Sequence, residues 1–288
     1  MYKTHCDEIV DGDNVIIGLG DSFTQGIGAY STETWQSISH SASSYNIAGQ
    51  HFVEEQGKNN WVRQLSNSFL PNYKVHNLGV NGAGNRAAVK ELYLNPLPAS
   101  VGNVIVILMS TGLERFDFVK QSDETAGINW HQKWQTVWPT VSDRGPISRL
   151  EKEYFQQIWN ERADALEFLF NVADAQNFCD SRGYKFLFTS AFDTRISRSA
   201  IIKDLDNKSE HINIANWDNY IAIPGRETFM DMINQLENSS QSMLEIHQKY
   251  SQLPMPTRYV TPCSHWTIEG QYNVAEYLFK ELTQRQLV

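Results

Sequence analysis

The residues best equipped for covalent chemistry in this chain are a serine near its start and a histidine near its end. Ser22 lies in Ile16-Ile17-Gly18-Leu19-Gly20-Asp21-Ser22-Phe23, where an apolar run passes into a Gly-Asp-Ser turn. His265 opens His265-Trp266-Thr267-Ile268-Glu269-Gly270, ahead of a helical pattern. A histidine within hydrogen-bond reach of a serine can take its proton as the oxygen attacks a carbonyl, then return it to the leaving group. Gly, Asp and Ser are also ordinary turn residues, and a histidine beside a tryptophan is also an ordinary packed one. Neither stretch decides the matter alone.

The elements around them place both residues. Asn14–Leu19 reads as a short buried strand, Tyr73–Leu78 as a second and Tyr184–Ser190 as a fourth. Between them Val101–Met109, mostly apolar and β-branched, carries the signal of a parallel strand covered on both faces. Trp61, Leu65 and Phe69 mark one face of a helix that Pro71 ends, Arg86–Leu94 follows the glycine turn at 79 to 84, and Tyr272 to Leu282 marks a terminal helix. Strand, loop and helix alternate, which predicts one α/β domain over 1–288, a three-layer α/β/α sandwich with a central parallel sheet. In such sheets ligands gather beyond the carboxyl ends of the strands, where Ser22, the 79–84 loop and Ser110-Thr111 all fall.

Three regions interrupt the alternation. Ser31 to Gln56 reads as a surface loop with short helical pieces, 191–228 as irregular, and about 113–146 as an insertion. Trp130, Trp134 and Trp138 recur every four residues in that insertion and predict packing of a helix, or else a flat platform for a sugar ring or acyl group. The long pattern from Ile147 to Ser181 exceeds a common helix and predicts a break inside it.

Composition excludes some partners. A formal net charge of −9 and no basic run argue against nucleic acid and anionic lipid. Three cysteines without a CxxC pair suggest neither a disulfide framework nor a zinc site, and fit a reducing, cytoplasmic setting. The first residues lack a signal-peptide pattern, and no long apolar run predicts a membrane span. The histidines show no HExxH spacing and the acids no calcium-loop pattern, so neither metal nor cofactor is expected.

Four separated blocks give the chain a resemblance to the SGNH hydrolases, the GDSL-type esterases and lipases, over about the first 115 residues and the last 30. Gly20-Asp21-Ser22-Phe23 matches the nucleophile block; the resemblance implies that Ser22 is the nucleophile and that its backbone N–H is an oxyanion donor. Asn77-Leu78-Gly79-Val80-Asn81-Gly82 matches the second block and implies a donor at Gly82. The third block should offer an asparagine after the central strand, but Ser110-Thr111-Gly112-Leu113-Glu114-Arg115 stands there, leaving the Ser110 or Thr111 hydroxyl, or Arg115, as replacements. His265 matches the fourth block, which should also carry an aspartate where Pro262 and Cys263 stand. Asp193 is the first candidate for that acid, with Asp218 and Glu269 behind it. Asp21, Arg115 and Trp266 are expected around the substrate. The implied activity is hydrolysis of small acyl esters, O-acetyl groups on carbohydrate among them; an acyltransferase and a non-catalytic binding protein on the same fold are the other readings.

Overall fold

The computed structural model describes residues 5–37, 50–119, 134–137, 153, 159–205, 209–237, 256–261 and 265–288. Four parallel strands form the central sheet: β1 Asn14–Leu19, β2 Tyr73–Asn77, β3 Val104–Ser110 and, at its far edge, Lys185–Ser190. The last of these is β6, because β4 Phe116–Val119 and β5 Trp134–Val137 pair with each other in a separate antiparallel sheet. The order β2-β1-β3-β6 places β1 at the centre, with Ile16 opposite Val75 on one side and Ile105 on the other. The chain runs to one side of β1 for β2 and to the other for β3, which puts the topological switch point, where such sheets bind ligands, at the carboxyl ends of β1 and β3.

Alternation along the strands divides the core into two. Ile16, Val75, Ile105, Ile107 and Leu187 face α4 Trp61–Phe69, α8 Phe229–Leu236 and the terminal helix α9 Ile268–Gln284. Val15, Ile17, Val104, Val106 and Phe186 face α5 Asn85–Leu94, α6 Glu161–Arg182 and α7 Arg198–Asp204. β3 is buried along its whole length, as a central parallel strand with helices on both faces must be. Three shorter helices complete the first part of the chain: α1 Ser22–Gln25, α2 Thr32–Ser37 and α3 Gln50–Asn59.

The α/β/α sandwich and its four strands are as expected, and α6 begins at Glu161 after an Asn160 cap, which is the break anticipated within 147–181. The insertion is different. Its described part is the β4–β5 pair, with Val119 opposite Trp134, so residue 134 belongs to a strand and not to a helix. Four-residue spacing keeps side chains on one side of a strand as well as of a helix, and the β-branched Thr136 and Val137 favour the strand. Trp130 and Trp138 lie outside the described residues.

Candidate active site

The site is assembled from loops that leave the carboxyl ends of the strands. After β1, Gly20 turns the chain at φ +150°; a Cβ there would come within 2.6 Å of the Met109 carbonyl, so only glycine fits. Asp21 caps α1, its Oδ1 accepting from the Phe23 amide at 3.0 Å, and Ser22 is the first residue of that helix. Behind α1, Gln271 of α9 donates to the Phe23 carbonyl at 3.2 Å and accepts from the Trp61 amide at 2.9 Å. Phe23 packs on the fully buried Trp266, ring centroids 4.7 Å apart.

His265 reaches the same point from the other end of the chain. Val260 and Trp266 form an antiparallel bridge, and Thr261 extends the pairing by giving its amide to the His265 carbonyl at 2.8 Å and taking the His265 amide on Oγ1 at 3.0 Å. Thr267 then caps α9. The imidazole lies against Phe23, centroids 4.8 Å apart, and its Nε2 is 2.7 Å from Ser22 Oγ. With the proton on Nδ1, Nε2 accepts the hydroxyl hydrogen; the tautomer follows from that role. Ser22 is 5% exposed, so its hydroxyl is nearly enclosed beside the imidazole.

The second loop is zipped to the first. Leu78 and Val80 give their amides to the Gly18 and Gly20 carbonyls at 2.8 and 3.0 Å. Asn77, buried at the end of β2, donates to the Thr24 carbonyl at 2.7 Å and accepts from the Gly79 amide at 2.9 Å. These bonds lead the chain to Gly82, whose φ is +76°. Asn77 falls inside a block singled out in the sequence, but its part in joining the two loops was not visible there.

After β3, Thr111 is fully buried; its amide donates to Asn85 Oδ1 at 2.8 Å, and its Oγ1 meets no hydrogen-bond partner among the described residues. Arg115 turns back toward β1. Its Nη1 donates to Asp21 Oδ2 at 2.6 Å and to the Ala83 carbonyl at 3.0 Å, and its guanidinium lies 5.2 Å from the Phe192 ring centre. Asp21 is fully buried, so this ion pair has little solvent to weaken it.

The expected acids are placed as follows. Asp193 accepts from the Leu113 amide on Oδ2 at 2.8 Å and from the Arg195 amide on Oδ1 at 2.9 Å, with the Arg195 guanidinium on both oxygens. Arg195 also pairs with Glu114. Asp218 lies in a short 3₁₀ turn and bounds a surface pocket with Arg285 and Lys185. Glu269 pairs with Arg258. Trp266 is enclosed by Phe23 and Phe229 and supports the site from behind. Of the residues singled out, the structure brings Ser22 to His265 and Asp21 to Arg115. Among the described residues there is no cluster of side chains able to hold a metal ion, and no helix long and apolar enough to cross a membrane.

Fold and site together define a class: an α/β/α sandwich with a hydrogen-bonded serine and histidine at the carboxyl edge of its parallel sheet. No family model and no curated protein matches the chain. Solved structures similar to it include a carbohydrate esterase whose active site displays divergent catalytic and non-catalytic binding functions, with a TM-score of 0.48, 11% identity, and 96% of this chain and 70% of that one covered. Others are a catalytic mutant of Axe2, an acetylxylan esterase from Geobacillus stearothermophilus, at TM-score 0.43, 12% identity and 96% of both chains, and the acetyl xylan esterase AlAXEase, at 0.40, 14%, 93% and 98%.

Proposed function

We propose that the chain is a serine hydrolase of small acyl esters. The observation that carries this is the 2.7 Å contact between Ser22 Oγ and His265 Nε2 at the carboxyl edge of β1. Ser22 Oγ attacks the ester carbonyl carbon as its proton passes to His265 Nε2. The resulting tetrahedral oxyanion is held by the backbone N–H groups of Ser22 and Gly82. When the carbon–oxygen bond breaks, His265 gives its proton to the departing alcohol. Water, deprotonated by the same nitrogen, then attacks the acyl-enzyme and frees Ser22. O-acetyl groups on carbohydrate are the proposed substrates, on the strength of the four-block resemblance; Asp193, whose carboxylate is given to the Leu113 amide and Arg195, is proposed to steady the loop after β3 and not to orient the imidazole.

A binding protein on a retired catalytic fold is favoured by one observation: residues 110–115 hold no asparagine where the third block should supply a donor, and Arg115 there is given to Asp21 and Ala83. Hydrolysis of p-nitrophenyl acetate to octanoate, alongside labelling by a fluorophosphonate, separates the two readings. Expected are turnover and labelling in the natural chain, with both lost by at least about 10³-fold in Ser22→Ala and turnover lost similarly in His265→Ala, folding intact. Equal background in all three proteins would leave the binding reading.

A further inference from the structure

We infer that Arg115 is a positioning residue that holds the two backbone arms of the oxyanion site in register. This rests on the reading of Ser22 as nucleophile. The two protons of a single nitrogen, Nη1, go to Asp21 Oδ2 in the turn that carries Ser22 and to the carbonyl of Ala83, next to Gly82. The same guanidinium lies over Phe192, in the loop after β6. Its own loop is fixed by the Arg115 amide on the Gly112 carbonyl at 3.3 Å and the Leu113 amide on Asp193 at 2.8 Å. The loops leaving all four sheet strands therefore converge on one side chain.

The convergence bears directly on catalysis. Oxyanion donors act when they already point at the place where charge will develop, and a misplacement of about 1 Å costs on the order of 100-fold. Ser22 and Gly82 belong to different loops, and the zipper of Leu78 and Val80 stops short of Gly82. Arg115 supplies the tie beyond it. Its side chain is 12% exposed and the Nη1 protons are directed at protein acceptors, so this end of the guanidinium serves as a brace.

The test is a cycle of Arg115→Met, Arg115→Lys, Asp21→Asn and the double variant Asp21→Asn/Arg115→Met, each read by kcat, KM, melting temperature and hydrogen exchange of the 79–84 amides. Arg115→Met is expected to lower kcat on p-nitrophenyl acetate about 100-fold with KM within about 3-fold, and to speed exchange at 79–84 by about 10-fold or more. Arg115→Lys, which keeps a cation with protons for both acceptors on a shorter side chain, should recover part of kcat. The double variant removes the unpaired carboxylate, so its melting temperature should rise above that of Arg115→Met while kcat stays low. Recovery of kcat in the double variant would show that Arg115 only neutralises Asp21, and would overturn the inference. Unchanged exchange at 79–84 in Arg115→Met would overturn it too, whatever the activity. A natural chain with neither turnover nor fluorophosphonate labelling would remove the hydrolase reading itself, and the inference with it.

Discussion

Asp21, after β1, and Asp193, after β6, are both buried carboxylates at the carboxyl edge of the sheet, and their bonds follow one plan. Each accepts on Oδ1 from the backbone amide two residues on, Phe23 in one case and Arg195 in the other. Each accepts on Oδ2 from an arginine guanidinium. The arginine of Asp193 is two residues away, partly exposed, and shared with Glu114. The arginine of Asp21 comes from another loop, 94 residues on. The same chemistry thus closes a local turn in one place and ties separate loops in the other, and what distinguishes them is reach along the chain.

Removing the two carboxylates should separate these roles. Asp21→Asn keeps an acceptor for Phe23 but removes the buried charge that Arg115 faces, so a loss of about 3–5 kcal/mol in denaturant unfolding is expected, with kcat down about 100-fold. If the melting curve and kcat both match the natural chain, the contrast between the two sites disappears.

A nearby acid that lacks such pairing sharpens the contrast through its pH dependence. Asp164, at the start of α6, has its carboxyl pushed up to about 7 from an ordinary 3.8, chiefly by burial, while the Trp159 ring N–H holds it down in part. Between about pH 4 and pH 7 the folded chain keeps this proton and the unfolded chain does not, so the group costs stability as pH rises through that window. Asp164→Asn should remove a decline of about 2–4 kcal/mol, seen as a flatter melting-temperature profile from pH 4 to 8. His5 runs the other way: burial lowers it to about 4 from 6.5, so it costs stability as pH falls between those values.

The smallest effect is expected at Asp193. Arg195 is 31% exposed and retains Glu114, so Asp193→Asn should cost about 1 kcal/mol and change kcat less than about 3-fold. A larger loss of kcat than that of Asp21→Asn would reverse the ranking and give the loop at Leu113 the leading role.

How far the sequence foretold these arrangements depends on range. β1 was legible to the residue, because four large apolar residues end at a glycine. So was the span of α4, where Trp61, Leu65 and Phe69 set the apolar period and Pro71 follows its end. The pairing of Ser22 with His265 was legible only through the four-block pattern, since nothing local links residues 243 apart. The Arg115 tie was hidden for the same reason, and an arginine after a strand gives no sign of which carboxylate it will meet. The strand at Trp134 was hidden because its spacing fits two periods equally.

Helix α5 has Gly84 as its N-cap, which offers no capping side chain, and that role is filled from β4: Asp117 accepts from the Gly84 amide at 3.0 Å and from the Ala87 amide at 2.9 Å. A side chain at 84 would collide with that carboxylate, its Cβ 2.5 Å from Oδ2. The hairpin of β4 and β5 is therefore not a detachable ornament. A shortened chain lacking it would expose the first amides of α5 two residues beyond Gly82, so any redesign of the insertion for another substrate has to carry a carboxylate at 117 with it.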